Sequence, residues 1–325
     1  MRVVSARMGA ATTCQICSGP LQLLYTGAGL EAKAESFSPT NHEPGQYGDL
    51  YQCARCGTVA QPSLPRGDAL LELYRRMRDD HYLDEEAGRR ATARRVLDAI
   101  GGHAPTGRLL DVGCGHGLLL DEARERGYRP EGLELSEQAR AYARDVLGLD
   151  VRAETVAHLP EEPAYNAIVL ADVLEHLDDP AAAIDDCVRR LEPGGVLCIV
   201  TPDPASRTAK LAGANWWGYL PAHTYLLPRS TLKQLLEERG LDIQGDVPLV
   251  RQFTLRYWMA GLAERGGAIG NTVTALRKAV PPGLRLSLSL GDERVIVARR
   301  GARYATVGVG AGDASAASPA TVGSA

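Results

Sequence analysis

Nine residues, 109–117, constrain the fold of this chain more than any other stretch. They read Leu-Leu-Asp-Val-Gly-Cys-Gly-His-Gly, so two apolar residues lead to Asp111 and glycines follow at 113, 115 and 117. An apolar strand that runs into closely spaced glycines makes a turn where the backbone can approach a ligand. Residues 118–126 have helical periodicity. A strand, a glycine turn and a helix in succession form the nucleotide-binding corner of a doubly wound α/β sheet.

The spacing of the glycines narrows the class of ligand that this turn can bind. A dinucleotide fingerprint needs a third glycine at the sixth position from Gly113, and Leu118 stands there. The next predicted strand, 128–134, ends at Glu134, which lies 23 residues beyond Asp111. A carboxylate at about that distance accepts hydrogen bonds from both ribose hydroxyls, because adjacent strand ends lie side by side. The strand-end position favours this role over that of a solvated surface glutamate.

Three further units repeat the alternation of strand and helix. A short strand is predicted to end at Glu154, and the apolar run 167–170 predicts a buried parallel strand that turns at Asp172. A helix over 181–191 and a fifth strand over 196–200 follow, and the alternation predicts a parallel sheet. Near the C-terminus, 284–289 and 294–299 predict a hairpin that supplies an antiparallel last strand.

The motifs in this order resemble those of class I S-adenosylmethionine-dependent methyltransferases. The matching stretches are Asp-x-Gly-x-Gly-x-Gly at 111–117, Leu-Glu-His-Leu at 174–177 and LEPGGVLCIVTPDP at 191–204. The resemblance implies a doubly wound, Rossmann-like sheet of seven strands that binds S-adenosyl-L-methionine. It implies that Asp111 lies near the amino-acid end of the cofactor, Glu154 near the adenine, and Asp172 where cofactor and acceptor meet. With Gly113, Gly115, Gly117 and Glu134, these residues form the predicted cofactor site.

Two C-x-x-C pairs, Cys14/Cys17 and Cys53/Cys56, precede this domain. Two residues between thiols let one turn present both sulfurs to one ion, and four thiolates make a closed tetrahedral site for a structural Zn²⁺. The alternatives are a redox pair or unrelated cysteines. The gap between the pairs contains candidate hairpin strands at 21–25 and 49–52.

A similar N-terminal zinc ribbon precedes the catalytic domain in bacterial methyltransferases that act on nucleotide-linked deoxysugars and other small metabolites. We therefore expect a zinc-ribbon module at 1–62, a helical linker or lid at 63–104, a methyltransferase domain at 105–300 and a disordered tail at 301–325. Tyr74 and Tyr82 are candidates to line the lid, although ordinary helix packing explains them equally well.

Two histidines are candidate general bases for a hydroxyl acceptor, since a neutral imidazole is a suitable base near pH 7. His223 lies in a loop with Trp216 and Trp217 that resembles a Trp-x(n)-Pro-Glu-His stretch of the same family, but Ala222 stands where Glu is common. For His176 a structural role beside the pocket is the preferred interpretation; for His223 both roles stay open.

The expected reaction is O- or C-methylation of a small molecule, such as a sugar or a secondary metabolite. An RNA methyltransferase that uses the ribbon is an alternative, but 13–60 contains two cations, Lys33 and Arg55, against four acidic residues. Nucleic acid is therefore a disfavoured partner. A cofactor-binding protein without turnover is the other alternative. The chain has seven cysteines and shows neither a secretory signal nor an apolar stretch of membrane length. This combination predicts a cytoplasmic protein. No pattern predicts the oligomeric state.

Overall fold

A computed structural model describes residues 13–29, 32–40, 46–104, 106–263 and 267–301. The disordered tail predicted at 301–325, apart from its first residue, lies outside them, as does 1–12, where no secretory signal was expected. Among the described residues, no helix is both long and apolar enough to cross a membrane.

Thirteen strands and nine α-helices make up the described fold. The strands are β1 (Leu21–Tyr25), β2 (Leu50–Cys53), β3 (Val59–Ala60), β4 (Arg108–Val112), β5 (Arg129–Leu133), β6 (Asp150–Arg152), β7 (Tyr165–Ala171), β8 (Leu191–Pro202), β9 (Tyr225–Leu226), β10 (Leu241–Pro248), β11 (Arg251–Thr254), β12 (Arg285–Leu288) and β13 (Glu293–Arg300). The helices are α1 (Asp68–Arg76), α2 (Glu86–Gly101), α3 (Leu118–Glu125), α4 (Glu137–Ala141), α5 (Pro180–Arg190), α6 (Arg207–Ala212), α7 (Arg229–Glu237), α8 (Leu255–Ala263) and α9 (Gly267–Ala279).

Seven strands form the central sheet in the order β10-β13-β8-β7-β4-β5-β6. The five strands from β8 to β6 are parallel, and β13 pairs antiparallel with both β8 and β10. This is the doubly wound sheet that the sequence predicted. The strand order reverses at β4, which lies between β5 and β7, and ligands bind at such a switch point beyond the carboxyl ends of the strands.

Apolar side chains fill both faces of this sheet. One cluster packs α5 and α7 against it through Ile184, Leu232 and Leu236, while the other packs α2 and α3 through Leu97 and Leu120. The parallel strands are buried on both sides, which explains their continuous apolar runs.

The N-terminal module shares its sheet with the main domain. Strands β1, β2 and β3 pair antiparallel, and β3 then pairs with β9, which comes from the loop after α6. The hydroxyl of Thr231 in α7 donates to the Cys56 carbonyl at 2.6 Å. The module is therefore hydrogen-bonded to the same loop that carries His223.

One local prediction was wrong. The expected hairpin between 284–289 and 294–299 does not form, because β12 pairs with β11 in a separate two-stranded sheet. The Ser136 side chain caps α4 by accepting from the Ala139 N–H, whereas α7 begins after Pro228 without a side-chain cap.

Gly88 allows α2 to approach β11 closely. A Cβ at this position would lie 2.0 Å from the carbonyl oxygen of Gln252. We expect Gly88→Ala to lower the free energy of unfolding by about 1 to 3 kcal/mol, because the clash with backbone exceeds the gain in helix propensity. Gly101→Ala, in the same helix, is the control, because the added Cβ would lie within 4 Å of no heavy atom of the described residues beyond its chain neighbours and its own helix backbone. Urea denaturation showing equal stability for both variants would contradict this packing.

Candidate functional site

A cavity of about 1820 Å³ lies at the carboxyl ends of β4, β5 and β7. It is larger than the roughly 300–1,000 Å³ of ordinary small-molecule pockets. Its lining includes all of the predicted cofactor residues except Gly117, and both candidate bases: Asp111, Gly113, Gly115, Glu134, Glu154, Asp172, His176 and His223. The roles assigned to these residues from the sequence stay predictions.

The glycine turn after β4 opens toward this cavity at Gly115. Gly113, Gly115 and Gly117 all have positive φ, between 53° and 78°, a region that glycine adopts without steric cost. An added Cβ at Gly113 would lie 2.6 Å from Val173, whereas at Gly115 the nearest heavy atom is the Tyr82 hydroxyl at 3.8 Å. The space next to the Gly115 backbone is therefore the open part of the turn.

Glu134 ties this turn to the end of β5. One of its carboxylate oxygens accepts from the Gly115 N–H at 2.8 Å and the other from the Ser136 N–H at 2.7 Å. Burial raises the pKa of Glu134, and these backbone donors lower it in part. The side chain is 8% exposed, so it faces into the site rather than into solvent.

Asp111 lies at the floor of the same site and is buried. Burial, and next the charge of Glu134, raise the pKa of Asp111 well above its usual value. Two carboxyl groups held close together in a low-dielectric site favour a ligand that brings positive charge.

The segment between α1 and α2 covers the turn. The ring of Tyr82 stacks on His116 with centroids 4.4 Å apart, and Arg89 lies over the Tyr82 ring at 3.9 Å. The Ser136 hydroxyl donates to the carbonyl of Met77 at 2.9 Å, which holds this segment against α4. The Nη2 atom of Arg89 is buried and has no hydrogen-bond partner among the described residues, although Arg89 lines the cavity.

Asp172 is held by an ion-pair network that the sequence did not reveal. Its two carboxylate oxygens each lie 2.7 Å from Nη2 of Arg251, whose Nε donates to Glu293 at 2.7 Å. Asp172 has a φ of 57°, which is uncommon for a residue with a side chain. Burial raises the pKa of Glu293, and Arg251 opposes this effect.

Glu154 differs in detail from its predicted position. Strand β6 ends at Arg152, so Glu154 lies two residues beyond it, exposed, at the edge of the cavity. The prediction that the strand ends on this acid was therefore wrong, because only three residues pair with β5.

The two candidate bases lie side by side. One ring nitrogen each of His176 and His223 and one carboxylate oxygen of Glu175 lie within 4.8 Å of one another. His176 Nδ1 is 2.9 Å from the Tyr74 hydroxyl and 3.2 Å from the carbonyl of Ala222. Burial lowers the pKa of His176 to about 4, so it is neutral near pH 7.

His223 has a defined tautomer. Its Nδ1 lies 2.7 Å from the carbonyl oxygen of Gly218, and because a carbonyl only accepts, Nδ1 carries the proton. The basic lone pair of the neutral ring is then on Nε2.

The tryptophan pair is held by a residue that sequence reasoning missed. Asp292, which directly precedes β13 and is 2% exposed, accepts from the indole N–H of Trp216 at 2.8 Å and of Trp217 at 2.7 Å. Asp292 and Glu293 directly precede a predicted strand, whereas Asp111 and Glu134 end one. No family motif includes Asp292 or Glu293, so sequence reasoning did not select them.

The four module cysteines form one cluster. Their sulfur atoms lie within 4.8 Å of one another, with Cys14–Cys56 at 3.8 Å and Cys17–Cys53 at 3.4 Å. A tetrahedral ion with metal–sulfur bonds of about 2.3 Å needs sulfurs roughly 3.8 Å apart. All four cysteines are free thiols, so this cluster has the donor set and spacing of a metal site.

Comparison with known proteins assigns the family. A family described as "Methyltransferase domain" matches residues 81–244. Ubiquinone biosynthesis O-methyltransferase from Maricaulis maris (strain MCS10) is 30% identical over 168 residues, which cover 46% of this chain and 66% of the relative. The protein of the same description from Alkalilimnicola ehrlichii (strain ATCC BAA-1101 / DSM 17681 / MLHE-1) is 36% identical over 146 residues, 42% of this chain and 57% of the relative.

The chain thus spans about three fifths to two thirds of the length of these curated relatives. Among solved structures, N-methyltransferase NodS from Bradyrhizobium japonicum WM9 in complex with S-adenosyl-L-homocysteine has a TM-score of 0.46 at 18% identity, covering 71% of this chain and 96% of NodS. The family match covers half of the chain, so the chain belongs to the methyltransferase domain family. This confirms the resemblance seen in its sequence motifs.

The Arg251 network generates a test with a defined pH dependence. Arg251→Met removes the cation from Glu293, which raises the pKa of Glu293 further above its unfolded value. A carboxyl group with a raised folded-state pKa costs stability above its unfolded pKa, and this cost is lost as the pH falls. We expect a loss of about 2 to 4 kcal/mol near pH 7 that shrinks toward about pH 4.

Arg76→Met is the matched control, since Arg76 and Glu72 form an exposed pair with 72% and 45% of their side chains accessible. Such a pair contributes about 1 kcal/mol or less. Urea denaturation across this pH range measures both variants. A loss in Arg251→Met that does not change with pH would contradict the network.

Proposed function

We propose that this protein transfers a methyl group from S-adenosyl-L-methionine to a hydroxyl oxygen of a small molecule. The observation that carries the proposal is the sharing of one cavity by two sets of groups. Asp111, Glu134 and Arg89 form one set beside the glycine turn, and His176 and His223 form the other. The named O-methylation of the curated relatives supports oxygen as the acceptor atom.

The residues beside the glycine turn suit this cofactor. S-adenosylmethionine supplies an electrophilic methyl group on a sulfonium. Glu134 is the proposed ribose partner, and its buried charge, with that of Asp111, offsets a cationic ligand. Within the described part of the chain, Nη2 of Arg89 is buried without a hydrogen-bond partner, so it is a donor for an anionic group such as a carboxylate. Gly115 leaves room for the ligand beside the backbone, and Tyr82 excludes water above it.

His223 is the proposed general base. A hydroxyl group must lose its proton as its oxygen attacks, and His223 holds a basic Nε2 because its Nδ1–H is fixed on Gly218. His176 packs edge-to-face against it with ring centroids 4.7 Å apart, and burial lowers the pKa of His176 to about 4, which makes His176 a poor proton acceptor near pH 7. We therefore assign proton acceptance to His223 and a positioning role to His176.

Methyl transfer is tested with cofactor that carries a labelled methyl group. We expect label in low-molecular-weight products when the protein is incubated with a panel of small hydroxyl compounds or with a bacterial metabolite extract, and none in total RNA. His223→Asn should lower kcat by about 10²- to 10⁴-fold, as the loss of a general base does, while the exposed His158→Asn leaves it unchanged. Label only in RNA, or in neither fraction, would contradict the proposal.

We also propose that the cysteine cluster binds one structural Zn²⁺. Burial raises the pKa of Cys53, but hydrogen bonds from the backbone N–H groups of Cys56 and Arg55 and from the Cys17 and Cys56 thiols bring it to about 7. Four sulfur ligands leave no open coordination position, so the ion organises the module and takes no part in transfer.

Elemental analysis of the purified protein should find about one zinc per chain. Cys53→Ser should lose the metal, whereas Cys187→Ala, which changes a buried cysteine of α5, should retain it. Retention of full zinc content by Cys53→Ser would contradict a four-thiolate site.

A further inference from the structure

Gln61 is a buried polar residue for which the sequence offered no role. It follows β3, is 1% exposed, and lies where the N-terminal module meets the loop 220–224. Its backbone N–H donates to the carbonyl of Thr224 at 3.0 Å, which extends the β3–β9 pairing by one residue. Gln61 is therefore the residue at which the pairing between the module and this loop ends, before the chain continues to α1.

The side-chain amide of Gln61 forms hydrogen bonds with backbone groups of both the module and the loop 220–224. Its Nε2 lies 3.0 Å from the carbonyl oxygen of His223 and 3.3 Å from those of Leu220 and Pro221. Its Oε1 accepts from the N–H of Gly48. Carbonyl oxygens only accept, so the end that faces three of them must be the NH₂ group. One amide thus joins the module to three carbonyls of the turn that presents His223.

The opposite side of this loop is tied to the turn after β7. Thr224 is fully buried, its N–H donates to the Glu175 carbonyl at 2.8 Å, and its hydroxyl donates to the Leu177 carbonyl at 2.6 Å. The loop that carries His223 is thus held between Gln61 and the turn that carries His176. Loss of either set of hydrogen bonds leaves the backbone at His223 held by the other set alone.

We infer that Gln61 is a positioning residue: its amide fixes the turn 220–223 and so holds the His223 ring on Gly218 with Nε2 toward the acceptor. The inference rests on the proposed function, in which His223 is the base. It also gives the N-terminal module a task in transfer, since the module supplies the residue that sets the geometry of the base. A displacement of about 1 Å at a reacting group can cost about 100-fold in rate.

Gln61→Glu tests this inference with little change in shape. A carboxylate would point an acceptor at three carbonyl oxygens, which repels the turn and removes the Gln61 donor from the Pro221 and His223 carbonyls, whereas the Leu220 carbonyl still accepts from the His223 N–H. Gln52→Glu is the matched control, because Gln52 is an exposed glutamine on β2 of the same sheet. Gln61→Met, which removes the donors without adding charge, is the second variant if Gln61→Glu does not fold.

The first readout does not depend on an acceptor. In protein labelled with ¹⁵N-histidine, the Nδ1–H group of His223 should give a slowly exchanging signal, assigned by its loss in His223→Asn. We expect this signal to disappear or shift in the Gln61 variants and to stay unchanged in Gln52→Glu. Zinc content and the Kd of S-adenosylmethionine, measured by calorimetry, should equal those of the wild type.

The second readout is kinetic. With a small hydroxyl compound that the wild type methylates, we expect kcat to fall about 10- to 100-fold in the Gln61 variants while KM for the cofactor is unchanged. An unchanged His223 signal, or a Gln61 variant that loses stability but keeps kcat, would overturn the inference. If the wild type transfers no methyl group, the proposed function fails by itself, and the histidine signal still decides whether Gln61 holds the ring.

Discussion

The hydrogen bond that the Glu134 carboxylate accepts from the glycine turn is the constraint on which the rest of the site depends. The carboxylate spans from the Gly115 N–H to the Ser136 N–H, so it joins the ends of β4 and β5 at the point where the strand order reverses. Buried charge is costly unless hydrogen bonds satisfy it, and here backbone donors do so. The same contacts leave the Gly115 backbone open to the cavity. They also place Ser136 as the N-cap of α4, and the segment between α1 and α2, which contains Tyr82, packs against this helix.

The N-terminal module is coupled to this site through the loop after α6. Strand β9 completes the module's sheet, Thr231 bonds to Cys56, and Gln61 bonds to the carbonyls that precede and include His223. A metal bound by the four cysteines would stabilise β2 and β3, and through them one wall of the acceptor side. The module is therefore hydrogen-bonded to one side of this loop, and the turn after β7 is hydrogen-bonded to the other side.

Local patterns predicted most of the central sheet. Apolar runs and glycine turns located β4, β5, β7 and β8, and paired cysteines located the module, because each of these signals is read within a few residues. Contacts between distant segments had no such signal. Arg251 lies 79 residues from Asp172, Gln61 lies 162 residues from His223, and β12 pairs with β11 rather than with β13. Nothing local distinguishes Arg251 or Gln61 from other arginines and glutamines, so their roles emerge only from the tertiary structure.

The most direct measurement of the central claim is a calorimetric titration of S-adenosylmethionine into Glu134→Gln. The amide keeps the size of the side chain but removes its charge and one of its acceptor oxygens. The account predicts an affinity about 10- to 100-fold below that of the wild type, in line with the loss of charge-assisted hydrogen bonds. Glu137→Gln, an exposed change three residues away, should bind as the wild type does. Equal affinity of Glu134→Gln and the wild type would contradict the account.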